Sequence, residues 1–427
     1  MEQTVTATQT LTSKLAAGLQ GNQILKIAYE VRGMKAAGER VGDFTIGDFH
    51  ADEFRIPQAV AEGIKHYVDE GMTNYPPSMG VAELRKAVTE VYAKDMNISP
   101  EIEQVLVSSG TRPLIYAGFQ AIVDPGDKVI YGVPSWNTNH YVYLSKAKKA
   151  EIATRPEDNF MLTLEQIRPH LKDAVLLCLN TPMNPSGTMI TREQLTPVVE
   201  QILAENNRRK ATGKKPLYVL YDQVYWRITH GSEHIHPAMI DPAMEDYTLY
   251  MDGASKNYGG TGLRVGWAVV PKALSTPMTH IVAHMGAWAP KAEQLALADF
   301  LPKYDENHAY FDALSKPMRK RLDGLHQLLQ MLKAEGYPVD SIEPQGGLFL
   351  SIYLGLQGKT TPQAEVLDSQ EAVRKYLLEA GRTAFVPFAA FGDSTNLGWF
   401  RASVSGITQP DYDYAIVELE QAIRALQ

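Results

Sequence analysis

Short apolar runs alternate with longer segments of helical periodicity over most of the chain. Apolar runs bounded by glycine, proline or polar residues predict buried strands, and apolar residues that recur every three or four positions predict helices packed against them. This alternation predicts an α/β fold with a largely parallel sheet covered by helices on both faces. The predicted strands span residues 104–107, 128–131, 174–179, 217–221 and 247–251, and the predicted helices span 22–38, 57–70, 81–96 and 191–209, with another beginning at Pro113.

The pattern changes after residue 302, where a long charged helix is predicted over residues 303–335. We expect a break near Pro317, because proline removes one helical hydrogen bond. Shorter strands and helices follow, and we interpret this region as a smaller α+β domain to which the N-terminal segment returns. The predicted domains are residues 1–57 for an N-terminal arm and part of the small domain, 58–302 for the large domain and 303–427 for the small domain.

Composition narrows the classes of protein that fit. The chain has 427 residues, 44% hydrophobic and 21% charged, which is typical of a two-domain globular enzyme. Its net charge of -8 argues against nucleic acid as a partner. Cys178 is the only cysteine and lies in an apolar run, so it predicts packing and excludes an internal disulfide. The N-terminus lacks the pattern of a signal peptide and no apolar run approaches a membrane span, so we expect a cytoplasmic protein without a membrane or metal partner.

A candidate for covalent chemistry lies in the segment 251–267, where Lys256 stands among small residues and Arg264 follows in a glycine-rich turn. A lysine enclosed there loses its proton more easily and can attack a carbonyl. An arginine beside it suits a phosphate. Together they favour pyridoxal 5'-phosphate, held as a Schiff base. The alternative is a surface lysine before a flexible loop.

Further polar motifs follow predicted strands, where ligands bind in parallel sheets. Ser109, Gly110 and Thr111 precede a helix, so their backbone N–H groups can bind a phosphate, although a helix cap explains them equally well. Asp222 can hold a pyridine nitrogen protonated, and Tyr225 can donate to a phenolate oxygen. A helix-capping role is the alternative for Asp222.

Two more motifs present single side chains at strand ends. Asn184 lies between two prolines and a glycine, which hold its loop rigidly and fix the position of its amide. Trp136 follows Pro134 and Ser135, so its flat ring can stack on a flat cofactor. A buried structural role is the alternative for Trp136.

These motifs, in this order, resemble the fold-type I pyridoxal-phosphate-dependent aminotransferases of class I/II over residues 47–401. The resemblance implies a large domain with a mostly parallel seven-stranded sheet, a smaller α+β domain and a homodimer. It implies that Lys256 forms the Schiff base and moves the proton, while Asp222 pairs with the pyridine nitrogen. Tyr225 and Asn184 would bind the 3'-oxygen of the cofactor.

The resemblance also implies roles for the remaining motif residues. Trp136 would stack on the cofactor ring, and Tyr75 would reach the phosphate in the neighbouring subunit. Arg401 would bind the α-carboxylate of the substrate, beside Gly47 at the substrate entrance. The phosphate of the cofactor would be held by Ser109, Gly110, Thr111, Ser255 and Arg264.

The sequence departs from many relatives at two places. Gly253 stands where some relatives have serine, which favours the branch of bacterial-type aspartate and prephenate aminotransferases. Gly47 is followed by Asp48 and Phe49, whereas many relatives have Gly-Glu-Pro at this place. The resemblance therefore says less about the substrate entrance than about the cofactor site. Arg112 occupies what we interpret as the place of a lysine that meets the distal carboxylate in that branch. Alternatively, the Arg112 side chain contacts the phosphate or points to solvent.

The implied reaction moves an amino group between an amino acid and a 2-oxo acid by a ping-pong mechanism. Aspartate or glutamate is the expected donor, with aromatic and aliphatic amino acids as alternatives. A carbon–sulfur lyase, a decarboxylase or an oxidase would share the cofactor residues, so the motifs leave those classes open. A regulatory module is disfavoured, because no basic helix-turn-helix precedes the enzyme-like region.

Overall fold

The computed structural model describes residues 11–19, 21 and 23–427. Part of the predicted N-terminal arm therefore lies outside the described residues. Short strands alternate with helices up to residue 302, as the apolar pattern predicts. The strands are β1 (Gly42–Asp43), β2 (Val105–Ser108), β3 (Lys128–Val133), β4 (Lys148–Ala153), β5 (Ala174–Asn180), β6 (Tyr218–Asp222), β7 (Thr248–Gly253), β8 (Gly266–Val269), β9 (Val339–Ser341), β10 (Phe349–Leu354), β11 (Thr383–Ala384), β12 (Val386–Pro387) and β13 (Trp399–Ser403).

The α-helices cover both faces of the large sheet and most of the C-terminal part. Predicted helix ends agree with the structure to within a few residues at most sites, including the helix that follows Pro57. The helices are α1 (Lys14–Ala17), α2 (Gln23–Ala36), α3 (Gln58–Asp69), α4 (Ala82–Met96), α5 (Thr111–Ile122), α6 (Thr138–Leu144), α7 (Leu164–Leu171), α8 (Arg192–Ala211), α9 (Pro237–Ile240), α10 (Ala254–Asn257), α11 (Lys272–Met285), α12 (Lys291–Phe300), α13 (Tyr304–Ala334), α14 (Gln370–Glu379) and α15 (Gln409–Arg424).

The large sheet contains seven strands in the order β2–β8–β7–β6–β5–β3–β4. Every neighbouring pair is parallel except the two that involve β8, which runs antiparallel to β2 and β7. Leu177, Val219 and Tyr250 are buried in the sheet, as the continuous apolar runs require. The prediction of a mostly parallel seven-stranded sheet is therefore confirmed.

Two strands of the large sheet were not among the predicted segments. Strand β4 forms an edge of the sheet, and its lysine and glutamate side chains are mostly exposed. Charged residues on an edge strand protect it from pairing with other chains, but they remove the apolar signal from the sequence. Strand β8 has four residues and follows a glycine-rich turn, so it is too short to show a clear period.

The C-terminal part contains a second, antiparallel sheet in the order β12–β13–β10–β9. Its buried face packs with α13 and α15 around Leu325, Phe349 and Leu419. Strand β1 pairs in parallel with β11, so the N-terminal strand lies against the C-terminal part of the chain. The domain limits at residues 57 and 302 stay a prediction.

Helix α13 corrects one prediction, because it runs unbroken through Pro317 for 31 residues. Proline at this position leaves the carbonyl of Ala313 without its helical donor. Ala313 is exposed, so water can replace the missing hydrogen bond. Leu314 and Met318 are buried on either side of Pro317, and their packing favours a continuous helix. Within the described residues, none of the helices is long and apolar enough to cross a membrane.

Candidate active site

A cavity of about 380 Å³ lies where β5, β6 and β7 end and where β13 approaches them. Parallel strands meet at one edge of the sheet, so the polar residues that follow them converge there. The cavity wall includes every predicted site residue except Ser109, Gly110 and Tyr75. The predicted residues on the wall are Gly47, Thr111, Arg112, Trp136, Asn184, Asp222, Tyr225, Ser255, Lys256, Arg264 and Arg401.

Lys256 lies in the short helix α10, directly after β7, with its side chain in the cavity. Its Nζ donates a hydrogen bond to the backbone carbonyl of Gly47. Burial lowers the pKa of Lys256 to about 8, and Asp48 opposes this shift. An amine with this pKa is partly neutral near pH 7 to 8, which is the form that attacks a carbonyl or accepts a proton. The arginines that help to lower the pKa are Arg401, Arg112 and Arg264.

Asp222 ends β6 and points into the same cavity. Burial raises the pKa of its carboxyl group to about 6, and a backbone N–H from Val224, at 3.3 Å, lowers it only in part. Within the described residues, Asp222 forms no ion pair, so this enclosed carboxylate lacks a cation. The amide of Asn180 donates to the backbone carbonyl of Asp222 at 2.8 Å and ties β5 to β6 at this end.

Asn184 connects this edge of the sheet to β13. Its backbone N–H donates to the side-chain oxygen of Asn180 at 2.8 Å, which fixes the loop after β5. Its own side-chain oxygen accepts a hydrogen bond from Arg401 at 3.1 Å. Tyr225 lies beside it, and burial raises the pKa of the Tyr225 hydroxyl, so this group is a neutral donor at ordinary pH.

Arg401 is a buried cation that β13 contributes to the cavity wall. Its guanidinium lies 4.7 Å from the ring centre of Phe349 and 4.9 Å from that of Phe391. It also donates to the carbonyl of Thr45, while its Nε has no hydrogen-bond partner among the described residues. Burial lowers the pKa of Arg401 to about 10, so it stays charged at neutral pH and can bind an anion.

A second arrangement suited to an anion is formed by the turn before α5 and by Arg264. The guanidinium of Arg264 donates to the carbonyl of Ser109 at 2.9 Å and to that of Thr261 at 2.7 Å. Gly110 has φ +90°, and a Cβ atom there would lie 2.2 Å from Arg264 Nη2. Only glycine therefore lets the arginine approach this turn. Thr111 opens the 12-residue helix α5, whose free N–H groups favour a phosphate.

Gly253, which stands where some relatives have serine, lies where β7 meets β8. A Cβ atom there would lie 2.7 Å from the Cα of Gly266 and 2.9 Å from the carbonyl oxygen of Val265. These contacts are with backbone atoms and cannot be relieved by a side-chain rotation. The close approach of the two strands therefore requires a glycine at this position.

Arg112, in the first turn of α5, and Trp136, after β3, lie together on the cavity wall. The guanidinium of Arg112 lies 5.4 Å from the ring centre of Trp136. Trp136 is only half-buried and faces the cavity, which argues against a purely structural role. Tyr75 lies outside the cavity and is 82% exposed, with its ring 5.1 Å from that of Trp288.

The sequence motifs did not identify several residues of the cavity wall. Ile24, Ala28 and Arg32 recur at intervals of four along α2, so one face of this helix forms a wall. Their helical period was visible in the sequence, but nothing local indicated which other element the helix would face. Asp48 was visible only as a departure from the relatives' loop, and Thr261 only as part of the turn before Arg264.

The side chains present fit pyridoxal 5'-phosphate. Asp222 is an enclosed carboxylate that pairs with no cation among the described residues, so it suits a protonated ring nitrogen, and Lys256 has the lowered pKa of a carbonyl-reactive amine. The turn at Gly110 and Arg264 suits the phosphate. When bound, the cofactor would supply an electron-withdrawing ring next to the substrate. Fold and site together define a pyridoxal-phosphate-dependent transferase of fold type I.

Comparison with known proteins identifies the family. The model of the aminotransferase class I and II family matches residues 39–419. The aspartate aminotransferase of Bacillus subtilis is 25% identical over 90% of this chain and 93% of its own length. The aspartate aminotransferase of Pinus pinaster is 30% identical over 89% of this chain and 75% of its own. The crystal structure of the aspartate aminotransferase from Rhizobium meliloti is 25% identical, with a TM-score of 0.87 over 97% of this chain and 99% of that one.

The chain therefore belongs to the class I and II aminotransferases and is a pyridoxal-phosphate-dependent aminotransferase. This confirms the resemblance that its motifs indicate. An aspartate/prephenate aminotransferase from Thermus thermophilus is also similar, at 29% identity over 80% of this chain and 82% of its own length.

Proposed function

We propose that the enzyme transfers the amino group of a dicarboxylic amino acid, aspartate or glutamate, to a 2-oxo acid, with 2-oxoglutarate as the acceptor when aspartate is the donor, and that Arg112 binds the distal carboxylate. The position of the Arg112 guanidinium carries this proposal. It lines the same cavity as Lys256 and Arg401, lies over Trp136, and forms no ion pair within the part of the chain that the structure describes. A bidentate guanidinium suits a carboxylate. The relatives named above include several aspartate aminotransferases, which supports the same substrate class.

Arg401 is proposed to bind the α-carboxylate. Its guanidinium is oriented by the bonds to Asn184 and Thr45 and by contact with two phenylalanine rings, and among the described residues its Nε has no partner and stays available for the substrate. Two arginines at different parts of one cavity would hold a dicarboxylic substrate by both ends. The substrate Cα would then be held between two fixed points, and such positioning lowers the activation barrier of the reaction.

Lys256 is proposed to bind the cofactor and then to act as the general base at the substrate Cα. Its lowered pKa lets the amine take a proton from Cα and return it later in the same site. Asp222 would keep a proton on the ring nitrogen, and Tyr225 and Asn184 would donate hydrogen bonds to the ring oxygen. The phosphate would be held by Ser109, Gly110, Thr111, Ser255 and Arg264, with Trp136 against the ring.

The active unit is proposed to be a homodimer in the cytoplasm. Tyr75 is large, aromatic and exposed, and it lies outside the cavity of its own chain. A tyrosine in that setting is suited to contact a second copy, where its hydroxyl would reach the phosphate of the partner's cofactor. Closed twofold assemblies use one surface on both copies, so a dimer would contain two such sites.

A single-turnover experiment tests the substrate class. The loaded enzyme is mixed with one amino acid at a time, without an acceptor, and the released 2-oxo acid is measured. Aspartate or glutamate should release about one equivalent per active site, as a ping-pong transaminase requires. Faster release from phenylalanine or leucine would overturn the dicarboxylic assignment.

A further inference from the structure

Asp48 is a charged residue of the cavity wall to which the proposed function gives no role. It lies in the segment 45–50, which we call the entrance loop, directly after Gly47. This is the place where the sequence departs from the Gly-Glu-Pro of many relatives. The structure shows what the aspartate contacts there.

The backbone of the entrance loop is fixed to the end of β13. The hydroxyl of Ser403 donates to the carbonyl of Ile46 at 2.8 Å, and the hydroxyl of Ser405 donates to the carbonyl of Asp48 at 2.7 Å. The N–H of His50 donates to the carbonyl of Ser405 at 2.8 Å. The loop is therefore carried by the C-terminal part of the chain.

Two side-chain hydrogen bonds join the loop to the segment that carries the lysine. Lys256 donates to the carbonyl of Gly47, and the Thr261 hydroxyl donates to Asp48 Oδ1 at 2.6 Å. The same oxygen accepts the N–H of Phe49 at 2.8 Å, which orients the carboxylate within its own loop. Asp48 and Thr261 thus clamp the loop so that the Gly47 carbonyl faces the lysine amine.

Asp48 also acts on the charge of the amine. Burial and three arginines lower the pKa of Lys256, and the Asp48 carboxylate raises it. The second carboxylate on the cavity wall belongs to Asp222, at the end of β6. The charged and titratable groups that share the cavity wall with Lys256 are Asp48, Asp222, Tyr225, Arg32, Arg112, Arg264 and Arg401.

We propose that Asp48 is a positioning residue for Lys256, with Thr261 as its partner: their hydrogen bond holds the entrance loop closed on the lysine segment and keeps a negative charge beside the amine. The inference rests on the proposed role of Lys256 as the residue that binds the cofactor. The proposal gives a reason for the aspartate in the entrance loop and for the threonine that stands five residues after the lysine.

The test follows formation of the Schiff base rather than turnover. Apoenzyme is mixed with pyridoxal phosphate across a range of pH, and the visible absorbance gives the rate and the pH at half-maximal formation. Asp48→Asn keeps an acceptor for Thr261 but removes the charge, so the free amine should persist to lower pH and the midpoint should fall by about half a pH unit or more. Thr261→Val keeps the carboxylate but releases the clamp that holds it beside the amine, so formation should slow roughly tenfold and the midpoint should also fall, by less than in Asp48→Asn.

Two variants serve as controls. Thr261→Ser keeps the hydroxyl and should leave the rate and midpoint unchanged. Asp52→Asn removes a carboxylate from an 82% exposed side chain four residues after Asp48, and it should also change neither value. Circular dichroism and thermal unfolding establish that each variant is folded, and the near-isosteric Asp48→Asn keeps the test informative if Thr261→Val is unstable.

The double variant Asp48→Asn/Thr261→Val separates a coupled pair from two independent residues. If the clamp holds the charge in place, the midpoint of the double variant should equal that of Asp48→Asn alone. A midpoint for Asp48→Asn equal to that of Asp52→Asn, or additive shifts in the double variant, would overturn the proposal. Borohydride trapping on a lysine other than Lys256 would instead refute the proposed cofactor lysine, and the two failures are thereby distinguished.

Discussion

Arg401 donates a hydrogen bond to the side-chain oxygen of Asn184 at 3.1 Å, although the two residues are 217 positions apart in the sequence. The bond joins β13, in the antiparallel sheet, to the loop after β5 in the large sheet. Asn184 is itself fixed through Asn180, which contacts the backbone of Asp222. The proposed carboxylate-binding arginine and the proposed ring-binding aspartate are therefore connected through two asparagines, and both are oriented by the protein before any substrate binds.

The first prediction concerns Lys256 as the carbonyl-reactive amine. The purified enzyme should be yellow, and borohydride should fix the cofactor to Lys256, because burial lowers the pKa of this amine to about 8. Peptide mapping by mass spectrometry identifies the modified residue. Lys256→Ala should lose nearly all turnover, and Lys272→Ala, at an exposed lysine 16 residues later, is the matched control. An adduct on any other lysine would contradict the assignment.

The sequence was sufficient to predict the edge of the sheet on which the site lies. Asn184, Asp222 and Lys256 each follow an apolar run, and parallel strands bring their carboxyl ends together. The small residues around Lys256 also indicated a close approach to the backbone, and Gly253 shows one against Gly266. The prediction succeeded because the apolar run of a strand and the polar residue that follows it are both visible in a short segment, and a parallel sheet brings such residues to one edge.

The wall formed by α2 and the contact of Asp48 with Thr261 required the structure. Asp48 and Thr261 are 213 residues apart, and neither stands in a pattern that specifies the other. The edge strand β4 was missed for a related reason, because its exposed charges hide the strand period. The break expected at Pro317 was wrong because packing on both sides of a proline can hold a helix together when water reaches the free carbonyl.

The second prediction concerns the stability of the apoenzyme with pH. Burial raises the pKa of Asp222 from 3.8 to about 6, so between these values the folded state binds more protons than the unfolded state and stability falls as pH rises. At pH 7 the carboxylate is charged and enclosed, and it forms no ion pair with any described residue. Asp222→Asn should therefore stabilise the apoenzyme by about 1–3 kcal/mol at pH 7.

Urea unfolding at several pH values measures this effect. The difference between wild type and Asp222→Asn should disappear below about pH 4, where both side chains are neutral. Adding the cofactor should stabilise the wild type more than the variant, because the ring nitrogen would supply the missing cation. A difference that is constant between pH 4 and pH 7 would contradict the assigned cause.

The third prediction concerns Gly253. A Cβ atom at this position would meet the backbone of Gly266 and Val265 at less than 3.0 Å, so Gly253→Ala must move β7 away from β8. We expect a loss of about 1–3 kcal/mol in the free energy of unfolding, as for other overpacked sites. Gly262→Ala is the matched control, because a Cβ atom added there would have open space within 4 Å. Equal stability of the two variants would show that the strands can separate without cost.

The fourth prediction concerns Tyr75 and assembly. The enzyme should be a dimer by light scattering at assay concentration, and Tyr75→Phe should weaken retention of the cofactor without dissociating the dimer. Loss of one hydrogen bond to a charged phosphate corresponds to roughly 1.5–3 kcal/mol. The cofactor dissociation constant, measured by absorbance, should rise by about ten- to a hundredfold. A fully active monomer would exclude the shared site.

The fifth prediction concerns Arg112 and substrate choice. Truncating one partner of an enclosed charge pair costs about 2–5 kcal/mol, so Arg112→Ala should lower kcat/KM for aspartate by roughly thirtyfold or more. Neutral donors such as phenylalanine have no distal carboxylate, and their kcat/KM should change much less. Arg112→Lys keeps the charge but lacks the planar fork, and it should recover part of the activity with aspartate.

A second measurement separates substrate recognition by Arg112 from phosphate binding. If Arg112 contacted the phosphate, Arg112→Ala would weaken cofactor binding and would lower kcat/KM equally for acidic and neutral donors. If it binds the distal carboxylate, the cofactor dissociation constant should stay unchanged, and the loss should fall mainly on dicarboxylic donors. The position of the guanidinium over Trp136, 5.4 Å from the ring centre, favours the second result. Arg264, by contrast, contacts the turn at Ser109 directly and is the arginine that the phosphate would meet.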